Sequence, residues 1–115
     1  MESKIIHAIT KVYGLLEYGL KESIYQKALL VELRKNFVTV EAEKSVPIIY
    51  EGHEITILRA DIVIDNNFII ELKAITTKLT FKEESQIKRY MKILNINKGI
   101  LVNFGKELQI KEIGL

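Results

Sequence analysis

Residues 59–73 read Arg59-Ala60-Asp61-Ile62-Val63-Ile64-Asp65-Asn66-Asn67-Phe68-Ile69-Ile70-Glu71-Leu72-Lys73. Two apolar runs flank a polar triplet, the pattern of two strands joined by a short turn. Strand side chains alternate between faces, so Glu71 and Lys73 share one face and Ile70 and Leu72 the other. Turn length decides the register. A two-residue turn at Asn66-Asn67 pairs Ile62 with Glu71 and Asp61 with Leu72, and both faces then mix charged and apolar groups. A three-residue turn, Asp65 to Asn67, pairs Ile64 with Phe68, Ile62 with Ile70 and Asp61 with Glu71. One face becomes Ala60, Ile62, Ile64, Phe68, Ile70 and Leu72, wholly apolar. The other carries Arg59, Asp61, Val63, Ile69, Glu71 and Lys73. Such segregation fixes register where a face is buried, and Asn tolerates the left-handed conformation the turn needs. The three-residue turn is therefore the expected one.

That register sets two carboxylates opposite each other, which is repulsive. A carboxylate and an ammonium within an apolar strand are also costly to bury alone. A divalent cation offsets the repulsion, and a metal and a phosphate held there together account for the carboxylate and the ammonium; oxygen donors favour magnesium or manganese over zinc. Asp61 and Glu71 are the candidate ligands. The carbonyl of Leu72, between Glu71 and Lys73, is a further one. Lys73 could orient a water or stabilise charge on a phosphate. The competing reading is a surface sheet face bearing an Asp, Glu, Lys and Arg ion-pair cluster, since Glu-x-Lys by itself occurs by chance in many proteins.

Outward from this hairpin, helical spacing of Ile5, Ile9, Val12 and Leu16 predicts a helix over 3–17 with Ser3 as N-cap. Gly19 punctuates it. A second helix is expected over 21–35, with Ile24, Ala28, Leu29 and Leu33 on its apolar side. Strands are expected at Phe37–Glu43, Ile48–Glu51, Ile55–Ile64 and Phe68–Ala74, with Pro47 confined to a strand start or edge. A third helix spans Phe81–Leu94. Gly99–Asn103 is an apolar strand buried on both faces, and Leu108–Ile113 closes the chain as an edge strand. The order α, α, β, β, β, β, α, β, β implies a mixed α/β (α+β) domain over 1–115, its largely antiparallel sheet flanked by helices.

Composition narrows the function classes. The chain has 115 residues, 48% hydrophobic and 28% charged, and a net charge of +2. That balance is too weak to argue nucleic-acid binding by itself. An anionic partner must therefore meet a local patch. No apolar run approaches the length of a bilayer span, and His7, Thr10 and Lys11 interrupt any signal-peptide pattern. Absence of cysteine excludes disulfides and thiolate metal sites. A cytoplasmic location is the expectation.

Other groups could support the acid pair. Gln86 and Tyr90 lie four apart on the third helix, with Lys82 on the same stripe and Lys88 and Arg89 nearby. This row could reach the carboxylates or a phosphodiester, or Tyr90 could be a core aromatic and Gln86 a surface residue. Glu22 shares a stripe with Tyr25, Gln26, Leu29 and Leu33. The helix dipole alone explains a carboxylate in the first turn, and its inward stripe leaves a place beside the metal open. His7 and His53 read as structural or solvent-facing. Ser23 and Ser85 lack a local histidine base, against a serine hydrolase.

Four blocks resemble one family. Gly19-x-x-Glu22-x-x-Tyr25 with Gln26, Ala28, Leu29 and Glu32-Leu33 is the first. Asp61-Ile62-Val63 with Ile69-Ile70-Glu71-Leu72-Lys73-Ala74 is the second. Gln86-x-x-x-Tyr90 and Gly99-Ile100-Leu101-Val102-Asn103-Phe104-Gly105 complete it. Together they resemble the GxxExxY proteins, assigned to the PD-(D/E)xK nuclease superfamily. The resemblance implies a restriction-endonuclease-like core and Mg2+- or Mn2+-dependent hydrolysis of DNA. It implies Asp61 and Glu71 as metal ligands, Lys73 as the catalytic lysine and Glu22 as an auxiliary acid. Gln86 and Tyr90 would contact the site or substrate, with Lys82 and Arg89 as basic neighbours. Ala60 stands where the superfamily motif has proline. Nothing in the sequence excludes RNA as substrate. The alternative is an inactive nuclease-fold module that binds nucleic acid or assembles, for instance as a homodimer.

Overall fold

The computed structural model describes residues 1–115. Helices α1 (Glu2–Leu16) and α2 (Glu22–Leu33) lead into strands β1 (Val40–Tyr50), β2 (His53–Ile64) and β3 (Phe68–Lys73), then helix α3 (Phe81–Leu94) and strands β4 (Lys98–Phe104) and β5 (Leu108–Gly114). The five strands form one sheet in the order β1-β2-β3-β4-β5. Only β3 and β4 run parallel, joined by the crossover through α3, and the other neighbours are antiparallel.

Each helix buries the stripe its spacing dictates. Ile5, Ala8, Ile9 and Val12 of α1 and Tyr25, Leu29 and Leu33 of α2 pack on Ile62, Ile64, Phe68, Ile70 and Leu72. Ile87, Tyr90 and Met91 of α3 cover the opposite face at Val63, Ile69 and Leu101. The hydrophobic layers therefore lie on both sides of the sheet. Tyr25 stacks flat on Phe104, with ring centroids 4.6 Å apart, and its hydroxyl donates to the Glu17 carbonyl. Thus α2 is fixed to the end of β4 and to the turn before it.

The central hairpin has the three-residue turn. Ile62 pairs with Ile70 and Ile64 with Phe68, while Asp65 and Asn66 take positive φ of 50° and 55°.

Several expectations are corrected. The predicted strands Phe37–Glu43 and Ile48–Glu51 are one strand, β1, so the sheet has five strands rather than six. Pro47 sits within β1, paired with Ile57, and so on an edge strand as expected. It is tolerated because β1 is a sheet edge, where a missing N–H costs no ladder bond on the open side. Ser3 does not cap α1, since Met1 occupies that position. Ile24 is exposed, and the buried residue of that turn is Tyr25. Ala60 was expected beside Ile62 but packs on the α3 side with Val46 and Val63. Val40 and Val46 also lie on opposite faces although six residues apart. Strict alternation would put them on one face. Both strands therefore turn over between these positions, at the level where Glu43 stands opposite Asp61. Glu43 there has φ of 53°, rare for a residue with a side chain.

Helix α3 begins with a full capping box between Thr80 and Glu83. Thr80→Ala is expected to cost about 1 kcal/mol, read as a fall of a few degrees in the thermal midpoint.

Candidate active site at the end of the central hairpin

The regular β2–β3 ladder stops at Ile62 and Ile70. Continued in register, it would set the Leu72 N–H on the carbonyl of Ala60. Instead that N–H donates to Asp61 Oδ2 at 2.9 Å, and the Asp61 N–H donates to Glu71 Oε1 at 2.9 Å. The Asp61 carboxylate has taken the place of the Ala60 carbonyl, and the Glu71 carboxylate reaches back to the Asp61 backbone. The turnover of β2 at Asp61 makes this exchange geometrically available. The Asp61 carbonyl is in turn held by the Gln26 amide of α2 at 3.0 Å.

These acids are desolvated. Glu71 is 4% exposed, and burial, followed by the charge of Asp61, pushes its carboxyl up to about 9. Burial also raises Asp61, partly countered by the Leu72 amide, while Glu43 adds to the rise. Glu22, in the first turn of α2, is half-buried. Its carboxyl is raised by burial and then by Asp61 and Glu43. Lys73 is the cation of this neighbourhood. It lowers the carboxyls of Glu22, Asp61, Glu71 and Glu83, yet none of the molecule's ion pairs includes it.

The structure thus gathers Asp61, Glu71, Lys73 and Glu22 at one end of the sheet. It adds Glu43, which sequence reasoning missed. The available signal was cross-strand pairing: once β1 is a single strand, Glu43 falls opposite Asp61. Gln86 and Tyr90 are joined to each other, the Gln86 amide donating to the Tyr90 hydroxyl at 2.8 Å. Tyr90 is buried against the sheet face beneath α3. No hydrogen bond links either one to the acids. Lys82 and Arg89 are exposed on the outside of α3 and pair with no acid.

No group of three or more His, Cys, Asp or Glu side chains is placed to hold a metal. Two converging carboxylates still fit magnesium or manganese, which use one or two carboxylates and take further oxygens from water and substrate phosphate. Within an extended residue the N–H and C=O point the same way, so the Leu72 carbonyl faces the Asp61 side with its amide. The donor set is all oxygen, and the like-charge strain between the acids is what a cation would relieve.

A mixed five-stranded sheet between helices, with an acid pair at the end of its central hairpin, is a restriction-endonuclease-like core. The chain belongs to the PD-(D/E)XK nuclease superfamily, whose family model matches residues 1–113. The crystal structure of SSO0001 is similar over 80% of this chain, with 24% identity and a TM-score of 0.62. This chain spans 50% of that one, and at such identity the likeness concerns the fold. No curated protein matches the chain. No helix is long and apolar enough to cross a membrane.

Proposed function

We propose that this chain is a Mg2+- or Mn2+-dependent nuclease that hydrolyses DNA phosphodiester bonds, in the manner its GxxExxY-like motifs suggest. The observation that carries the reading is the Asp61–Glu71 pair, Glu71 buried and Asp61 half-buried, each acid bound to the other's strand where a ladder should have continued. Asp61, Glu71 and the Leu72 carbonyl would hold the cation. When bound, it would supply positive charge to the phosphate oxygens and a more acidic water.

The remaining work falls to the chain's own groups. Lys73 presents an ammonium with no ion-pair partner beside the acids, suited to orienting the attacking water or stabilising charge on the phosphate. Glu22, with its raised carboxyl, would serve as the auxiliary acid that holds or receives a proton. Gln26 fixes the Asp61 backbone and so the aim of its carboxylate. Gln86 and Tyr90, with Lys82 and Arg89 further along α3, are the proposed substrate contacts.

The test is incubation with labelled single- and double-stranded DNA and RNA, with and without Mn2+, alongside Lys73→Ala. Metal-dependent cleavage of DNA, absent from Lys73→Ala, is the expected result. Cleavage of RNA alone would reassign the substrate. Binding without cleavage would favour the inactive module, and the absence of both binding and cleavage would overturn the reading.

A further inference from the structure

A second polar feature lies beside the acid site, where β3 and β4 end in parallel. Lys73 and Asn103 are partners in that ladder. Beyond them the chain leaves β3 as the loop 74–80, and this loop is stitched down from below. Asn103, 2% exposed, accepts from the Ile75 N–H at 3.0 Å. Its amide donates to the carbonyls of Ile75 at 3.2 Å and Thr77 at 3.1 Å. Gln109, across the ladder from Asn103, accepts from the Leu79 N–H at 2.9 Å.

Gly105 allows this close approach. A Cβ there would meet the Ile75 carbonyl at 2.7 Å. The facing wall is pinned too, because the Tyr13 hydroxyl shares its one proton between the carbonyls of Gly105 and Lys106, at 2.7 and 2.8 Å. Between the walls is a pocket of about 260 Å³, in whose lining only Ile75 is apolar. Its charged groups are Lys78, Lys106 and Glu107, so the lining carries a net positive charge. Neither lysine forms an ion pair. The mechanism proposed above uses none of these residues.

We infer that this pocket seats a backbone phosphate of the nucleic-acid strand, next to the one at the acid site. Lys78 and Lys106 supply the charge and the Thr76 and Thr77 hydroxyls supply donors. A fixed wall is what a phosphate subsite needs, since pre-ordered donors lose little freedom on binding. Asn103 and Gln109 line the pocket, and their part is positioning: they hold the loop. This subsite rests on the nuclease reading for its substrate, but its binding can be measured without cleavage.

The test is fluorescence anisotropy of a labelled single-stranded DNA oligonucleotide in EDTA over a NaCl series. Lys78→Ala/Lys106→Ala is compared with the parent, and both changes are on exposed side chains that leave the core untouched. Affinity is expected to fall about tenfold, and the slope of log K against log salt to flatten by roughly 0.7 for each lost phosphate contact. In cleavage, KM for the oligonucleotide should rise while kcat holds. Bis(p-nitrophenyl) phosphate, too small to span both positions, should be hydrolysed equally by the two proteins. Unchanged affinity and slope, or no binding by the parent, would overturn the subsite. Inorganic phosphate bound by the parent and lost in the double variant, with oligonucleotide binding intact, would assign the pocket to a free anion and also overturn it. Failure of the parent to cleave any diester, with the anisotropy difference present, would sink the nuclease reading and leave the subsite standing.

Discussion

Asp61→Asn should abolish metal-dependent cleavage, by about 10³-fold or more, in a protein that still folds. Asn retains a carbonyl oxygen where Asp61 Oδ2 accepts from the Leu72 N–H, so the local backbone keeps its acceptor. What is lost is the negative charge, and with it half of the proposed ligand pair. Lys73→Ala should fall by roughly 10²–10³-fold, the scale for removing one group that stabilises developing charge. Because Lys73 makes no ion pair, its removal breaks no salt bridge. Far-ultraviolet circular dichroism and the thermal midpoint check that both variants keep the fold. Full cleavage by either one would remove that residue from the mechanism.

The second large effect is on stability. Glu71→Gln should raise the thermal midpoint at pH 8 in the absence of metal, by about 1–3 kcal/mol, or 5 °C and upward at this chain length. The sign follows from linkage. Glu71 has its carboxyl raised from 4.5 in the unfolded chain to about 9 in the fold. Between those values the native state binds more protons than the unfolded state, so stability falls as pH rises. The contribution is whole below about pH 4.5 and is lost as pH climbs toward 9. Gln is neutral throughout and keeps an oxygen for the Asp61 N–H. The parent's midpoint should therefore decline across this window more steeply than the variant's. Equal slopes would mean that Glu71 is not the strained group.

Divalent metal should recover for the parent what the substitution gives the variant, since a ligand that binds only the native state stabilises it. Stability held back at a site in this way is a common trade for function.

Much of this was legible in the sequence, for one physical reason. Strand alternation is strict enough that the wrong turn length at residues 65–67 would have put charges among isoleucines, so the register of Ile62 and Ile70 followed. The helices followed from spacing, and Gly99–Asn103 from its unbroken apolar run. Where alternation fails, the sequence is silent. Lys44-Ser45 and Pro47 broke the apolar pattern of β1, and only an edge position made one strand of it. Ala60 changed faces because Asp61 and Glu43 turn their strands over together. That distortion accompanies the capture of backbone N–H groups by the Asp61 and Glu71 carboxylates, which no periodicity records. Glu43 went unseen with it. Asn103 stood out only as part of a motif, because its bonds are to a loop twenty-six and twenty-eight residues away.

Isothermal titration of the parent and Asp61→Asn with Mn2+ addresses the claim that the paired acids are a cation site. The parent should bind with release of protons, since Glu71 must ionise to coordinate, and Asp61→Asn should not bind. Equal binding by the two proteins, or no binding by the parent, would contradict it.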